Sequence, residues 1–372
     1  MSGMHIVVVG AGIMGLSTAW AALKAGHEVT VVEQSSIPNE AGSSVDESRL
    51  IRHPYGPMTG YARLMDEGFA AWDRLWEDLG ETHYRETGTL VMGEPGETWV
   101  AASAEHLSQG GKSFDWLGSG DIERRFPALS VPDGCRAIYM ATGGVLLARP
   151  IVRDLARWLA AHGAVLRTDT KVARIDPETA TCHVTGGGTI KGDRLCVAAG
   201  PWTNDLFNAP VTLKPSRQVV TFLEPPAPFA AAWSDMPMIL DFHPHARAYW
   251  VPPVGGAELK VGTHKFAFGA HPDDDRLVGR QEAMSAFANT NHILRSSDLY
   301  DVKGGRSCFY TVSDDENFVV RPISENAWFL AGFSGHGFKF GALMGEIVVR
   351  AIDGKMPTET AVALAAGDIV EA

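Results

Sequence analysis

Cysteine is scarce in this 372-residue chain: Cys135, Cys182, Cys196 and Cys308 are the only four, and no two form a CxxC pair. That removes a disulfide framework and a cysteine zinc site, and it fits a reducing cytoplasm. Positive charge is short as well, with 32 Lys and Arg against 44 Asp and Glu and a formal charge of −12. Such a chain has no general attraction for nucleic acid or an anionic membrane, so an anionic ligand would need cations gathered locally. Repeats and low-complexity tracts are missing. The composition, 45% hydrophobic and 20% charged, reads as a folded, soluble protein of one large or two interlocked domains.

The first 23 residues contain no Lys, Arg, Asp or Glu. A signal peptide or anchor is disfavoured because no basic residue precedes the apolar run, Gly10, Gly12 and Gly15 interrupt it, and no small-residue cleavage site follows. The pattern is strand, turn, helix, strand. His5 to Val9 is rich in β-branched residues, Leu16 to Ala25 in helix formers, Gly26 stops the helix, and Glu28 to Glu33 is a second strand. In that context Gly10-Ala11-Gly12-Ile13-Met14-Gly15 is a dinucleotide fingerprint. Gly10 permits the turn, Gly12 lets backbone approach a pyrophosphate, and Gly15 allows close helix packing. The unpaired N–H groups from Ile13 onward face phosphate, and Glu33 can accept hydrogen bonds from a ribose. The acidic Glu33 disfavours a 2′-phosphate, which leaves NAD or FAD.

Helical spacing continues over Tyr61 to Leu79, Arg149 to His162, Arg280 to Thr290 and Phe340 to Ile352. A buried strand, Arg194 to Ala198, ends at Ala199-Gly200, again backbone suited to passing close to a ligand. Strands separated by Pro-rich turns fill 215–266. The expected class is α/β (α+β): a Rossmann-type nucleotide-binding domain assembled from 1–85, 145–215 and 301–372, with an antiparallel-sheet substrate domain, 86–144 and 216–300, inserted into it.

Motifs far from the fingerprint carry a resemblance. Arg49-Leu50-Ile51-Arg52-His53-Pro54-Tyr55-Gly56, Leu259-Lys260-Val261-Gly262-Thr263-His264, Cys308-Phe309-Tyr310-Thr311 with Asp315-Glu316-Asn317-Phe318, and Ala331 through Gly335-His336-Gly337-Phe338-Lys339 to Phe340 resemble the monomeric sarcosine oxidase and N-methyltryptophan oxidase family, in order and along nearly the whole chain. The resemblance implies an FAD enzyme of the D-amino-acid-oxidase fold type. It implies oxidation of the C–N bond of a secondary amino acid, with O2 reduced to hydrogen peroxide by a monomer.

The same resemblance assigns roles. Cys308 matches the cysteine that bonds the flavin through a thioether; without the family it reads as a small buried hydrophobe. Arg52 and Lys339 match the pair that grips the substrate carboxylate, where in isolation Arg52 would read as a salt bridge to Asp46 or Glu47 and Lys339 as a solvated helix start. Lys260 matches a lysine that assists electron transfer to O2, its charge stabilising superoxide as it forms; the bland alternative is an edge-strand lysine. Strand alternation would place Lys260 and His264 on one face, toward one ligand. His264, Tyr310 and Tyr249 match positions lining the substrate amine, and Arg49 a cation beside the flavin that aids attachment. Ser44, Val172, Gly200, Trp202, Gly335, Gly337, Phe338 and Lys339 fall at further cofactor-binding positions.

Two departures bear on the amine. Pro57 stands where the family loop has a glutamate, and Leu240 where its pocket has a methionine. A cyclic or bulkier secondary amine such as pipecolate, proline or a sugar-amine adduct, a dehydrogenase with a non-oxygen acceptor, and a flavin-binding protein without turnover are the alternatives.

Overall fold

The computed structural model describes residues 3–207 and 211–368. Its first sheet grows from the strand His5–Val9, in which Ile6, Val7 and Val8 are fully buried. A strand apolar on both faces needs cover on both sides, the condition of a parallel sheet. Five strands run parallel, in the order Ala327–Ala331, Arg194–Val197, His5–Val9, Glu28–Val32 and Val165–Arg167, and Val319–Pro322 closes one edge antiparallel. Helices Ile13–Lys24, Thr59–Leu79, Ala148–Ala161 and Gly341–Ile352 share one core with Ile6, Val8, Val29 and Val31. On the opposite face Val7, Val9 and Val32 pack with a small sheet of Val172–Asp176, Thr181–Val184 and Thr189–Lys191.

The second sheet has eight strands, ordered Asp301–Ser313, Leu213–Glu224, Leu259–Thr263, Ala248–Val251, Met238–Asp241, Thr89–Gly93, Arg136–Met140 and Asp115–Gly118. All its pairs are antiparallel except Met238–Asp241 with Thr89–Gly93. Its layout differs from the expected segment boundaries in two places. Leu213–Glu224 runs through the expected boundary at 215/216, and Asp301–Ser313, expected with the nucleotide-binding part, pairs with it along nearly its whole length. The sequence DVKGGRSCFYTVS shows no clean alternation because residues on both of its faces are buried after Gly305. Positions 1–2, 208–210 and 369–372 of the expected segments lie outside the described residues.

A third sheet, Arg49–Ile51 with Gly144–Leu146 and Tyr84–Glu86, brings Arg49 and Arg52 to the junction of the two large ones. No helix among the described residues is long and apolar enough to cross a membrane, and the uncharged N-terminal stretch is the buried strand, turn and helix of the parallel sheet.

Candidate active site

A deep cleft opens where the parallel sheet ends. It is lined by Gly10, Gly12, Ile13, Met14, Glu33, Ser44, Arg49, Val172, Gly200, Trp202, Tyr310, Gly335, Gly337 and Phe338 among others, so its walls come from both large sheets. Gly10 has φ +101°, and a Cβ there would lie 2.4 Å from the carbonyl oxygen of Ala198. Gly15 does not line the cleft but sits behind the turn, where a Cβ would lie 1.9 Å from the Gly10 oxygen. These two glycines let strand, turn and helix close up against one another. No side chain caps the helix from Gly12, although the Ser44 hydroxyl accepts the Ile13 N–H at 2.9 Å. Its first turn therefore keeps backbone donors and a positive dipole end for phosphate.

Glu33 lies at the end of the second strand, as a ribose acceptor would, but its carboxylate also holds the protein together. Oε2 accepts the Ala11 N–H at 2.8 Å, and Oε1 accepts the Asn39 amide at 2.9 Å. Burial raises its pKa, with those hydrogen bonds acting in opposition. The donor and acceptor set suits a dinucleotide: an uncapped helix start, a buried carboxylate and a turn that side chains would block.

Beside the cleft lie four cations in two pairs, Lys260, Arg52 and Lys339 buried and Arg49 half-buried. Arg49 and Lys260 share one counter-ion that the sequence had not singled out as a site residue: Asp46 Oδ2 is 2.7 Å from Arg49 Nη1 and 2.7 Å from Lys260 Nζ. Burial would push Asp46 up, but the two cations outweigh it and hold the carboxyl well below its usual range. Lys260 is lowered by burial, with Asp46 resisting, and Arg49 is raised because Asp46 outweighs its burial. Lys260 also donates to the Ser48 carbonyl at 2.7 Å. It is 2% exposed on an interior strand, not on a sheet edge. Against this group lie Cys308, Tyr249 and Tyr310. Burial raises all three acidic pKa values, Tyr310 to about 12, while Arg49 pulls the Cys308 thiol and both phenols down.

Arg52 and Lys339 form the second pair, and neither has a carboxylate partner among the described residues. Arg52 donates to the Pro54 carbonyl and lies under Tyr55 and Trp99, with its guanidinium carbon 4.6 and 5.1 Å from their ring centroids. Lys339 donates to the His336 carbonyl at 2.7 Å and the Tyr55 hydroxyl at 3.3 Å. Burial lowers Arg52 to about 10 and takes Lys339 well below its usual value, with the charge of Arg52 adding to the effect on Lys339. The surface ion pair to Asp46 or Glu47 that Arg52 would make in isolation is absent, and Lys339 is 5% exposed rather than solvated.

The Tyr55–His336 contact of 2.9 Å supports Lys339. His336 Nε2 lies 3.1 Å from the Glu316 carbonyl, which only accepts, so that nitrogen carries the proton. Nδ1 then accepts from Tyr55, whose oxygen accepts from Lys339. Burial and Lys339 keep His336 neutral. Tyr55 and His336 sat inside the matched motifs without an assigned role, because only their packing reveals one.

His264 follows the strand Leu259–Thr263 and continues its ladder, its main-chain N–H donating to the Arg247 carbonyl at 2.9 Å. Its exposed side chain reaches Glu316 Oε2 at 3.4 Å and adds to the lowering of the pKa of His336, beside Lys339. Tyr249 is registered with Gly262 on the neighbouring strand, where a Cβ would lie 2.5 Å from its hydroxyl.

A glycine-turn cleft with cations at its border has the geometry of a dinucleotide-binding protein. The family model described as FAD dependent oxidoreductase (DAO) matches residues 5–351, and the chain belongs to that family. It is 31% identical over 370 residues to a monomeric sarcosine oxidase of Bacillus sp. (strain B-0618), covering 94% of this chain and 92% of the relative. It is 27% identical over 357 residues to an N-methyl-L-tryptophan oxidase of Yersinia pestis (strain Pestoides F), covering 92% and 93%. Among solved structures, the open form of NikD, an amino acid oxidase of nikkomycin biosynthesis, superposes with a TM-score of 0.81 at 21% identity over 96% of this chain and 95% of that one. Fructosamine oxidase of Aspergillus fumigatus gives 0.80 at 18% identity, covering 98% and 89%. These likenesses share the fold of FAD-dependent oxidases.

Proposed function

We propose that the protein oxidises the C–N bond of a secondary amino acid, of the N-methyl type, to an imine, with O2 as electron acceptor and hydrogen peroxide as product. The observation that carries this is the buried Arg52–Lys339 pair without a carboxylate of its own, next to an FAD cleft. A buried cation lacking a counter-ion is costly, and a bound carboxylate would relieve it. Relatives named for sarcosine and N-methyl-L-tryptophan support an amino acid as its owner.

FAD, when bound, supplies the two-electron acceptor for a hydride equivalent from the substrate C–H. The chain does the rest. Arg52 and Lys339 hold the carboxylate, Lys339 braced by Tyr55 and the neutral His336. Asp46 is committed to two cations, and burial keeps Tyr249 and Tyr310 as neutral phenols, so the substrate amine must arrive as its free base. Loss of hydride from an N-methyl carbon leaves an iminium, which water converts to an aldehyde and the primary amino acid. Lys260 contributes the positive charge that favours O2 reduction.

Covalent attachment through a Cys308 thioether belongs to the same proposal. The thiol must ionise to act as a nucleophile, and Arg49 beside it works against the burial that raises its pKa. Acid-precipitated protein should stay yellow, and Cys308→Ser should release the colour. We also infer a cytoplasmic monomer whose two parts follow the two large sheets. An anaerobic screen of flavin bleaching with sarcosine, other N-methyl amino acids, proline and pipecolate tests cofactor, reaction and substrate class together. Bleaching by cyclic amines alone would move the assignment to them. Slow return of colour on adding O2 would point to another acceptor, and no bleaching by any amine would remove the enzymatic reading.

A further inference from the structure

On the eight-stranded sheet, Leu240 packs with Tyr249 and Val91, while Ile239 packs with Trp250 in a separate core. Alternation puts Asp241 on the face of Ile239, away from the cleft. There Asp241 and His243 are each 1% exposed, and His292, just after the helix Arg280–Ala288, reaches them with a side chain 20% exposed. One potential ligand atom from each of the three lies within 4.8 Å of the others.

Hydrogen bonding does not account for this cluster. Asp241 Oδ1 is used, by His243 Nδ1 at 2.5 Å and the His243 main-chain N–H at 3.1 Å. Asp241 Oδ2, His243 Nε2 and both ring nitrogens of His292 are buried without a hydrogen-bond partner, even though His292 Nε2 is 3.2 Å from Asp241 Oδ2. Buried polar atoms are ordinarily paired, and unpaired atoms on three side chains that each offer one ligand atom to the same point call for a missing partner. No Lys or Arg among the described residues is paired with Asp241. The other three-residue His–carboxylate group of this kind among the described residues, Glu81, His83 and Asp154, differs on that point: Asp154 is already bonded to Arg153 at 2.7 Å and to Arg157 at 3.2 Å.

We propose that Asp241, His243 and His292 form a divalent-metal site that ties the turn after Met238–Asp241 to the segment after helix Arg280–Ala288. Two imidazoles and one carboxylate are a borderline donor set, suited to Zn2+ rather than Mg2+ or Ca2+. The free, buried Cys135 thiol, which lies against His243, and His245, whose ring centroid is 4.7 Å from His292 and 6.3 Å from His243, are the next donors available. The partial exposure of His292 gives an ion its route from solvent. The site is structural: it fastens two surface segments over the core of Trp233, Trp250 and Phe287, apart from the flavin cleft.

The test is Zn2+ titration of the flavin-loaded protein after dialysis against EDTA, following metal content and melting temperature, with Mg2+ as control. The expected result is one Zn2+ per chain, a higher melting temperature with Zn2+ but not Mg2+, and an unchanged flavin spectrum. His292→Gln should weaken Zn2+ binding by at least about tenfold to a hundredfold, a loss seen even for groups that only support a ligand. It should also abolish the Zn2+-dependent melting shift while keeping flavin content. Failure of the wild type to take up stoichiometric Zn2+, or a His292→Gln protein that binds it as the wild type does, would overturn the proposal. Should the variant not fold, the wild-type titration decides alone.

Discussion

Arg49 with Lys260 and Arg52 with Lys339 are two pairs of cations set within one site, and they differ chiefly in their counter-ions. The first pair has Asp46, at 2.7 Å from both members. The second has carbonyls, a phenol and aromatic faces, but no carboxylate. A protein that can neutralise one pair and leaves the other bare separates two tasks. Charge that must persist through every turnover is fixed internally, and charge meant for a ligand is left for the ligand to satisfy. On the proposed function, the bare pair costs stability until it is filled, which would turn stored electrostatic energy into affinity for a carboxylate.

The sharpest way to break this contrast is to make the first pair resemble the second. Asp46→Asn leaves two buried cations uncompensated, and breaking a buried pair in this way costs about 3–5 kcal/mol. Chemical denaturation of the flavin-loaded protein measures it. Because the folded pKa of Asp46 lies below its ordinary value of 3.8, its contribution is complete above that pH and is lost as pH falls through the folded pKa. The variant should therefore show a flatter stability profile at the acid end. A neutral effect of Asp46→Asn would mean that the two pairs do not differ as described.

Removing a charge from the second pair should instead be felt by substrate. Arg52→Met or Lys339→Met should weaken binding of an N-methyl amino acid by about 2–5 kcal/mol, roughly 30-fold to several thousandfold, while an N-methyl amine without a carboxylate loses little. Equal losses for both ligands would remove the carboxylate role. Lys260→Met probes the first pair functionally. Reoxidation by O2 should slow about 100-fold, the loss typical of one preorganised charge or donor, with flavin reduction by substrate changed only slightly. Rapid-mixing measurement of the two half-reactions separates them, and equal slowing of both would remove the assigned role.

Much of this contrast could be anticipated from sequence, but not the part that decides it. The fingerprint glycines, the Ala-rich first helix and the matched motifs are local patterns, and local sterics fix what they form. Asp46 is three residues from Arg49, yet its second partner is 214 positions away, and only the sheet register brings Lys260 to it. The interplay of Tyr55 with His336 spans 281 positions in the same way. The strand Arg49–Ile51 escaped notice because three residues are too few for a period to show.

The smallest expected effect is also the one that isolates the bare pair. Lys339 has a folded pKa well below 10.5, so between the two values the unfolded chain holds a proton that the folded one has released. More protons bound to the unfolded state means that stability rises with pH across this window. Below it, folding must bury a charged lysine beside Arg52, and Lys339→Met removes that requirement. In the absence of substrate the variant should therefore be more stable than the wild type near neutral pH, by about 1–2 kcal/mol, the usual scale for relieving an unpaired buried group. The difference should shrink as pH approaches 10.5. A simple carboxylate such as propionate should raise the melting temperature of the wild type more than that of the variant, because only the wild type has the second cation for it to pair with. Should the variant be less stable at every pH and respond to propionate as the wild type does, Lys339 is compensated by something other than a ligand, and the distinction between the two pairs fails.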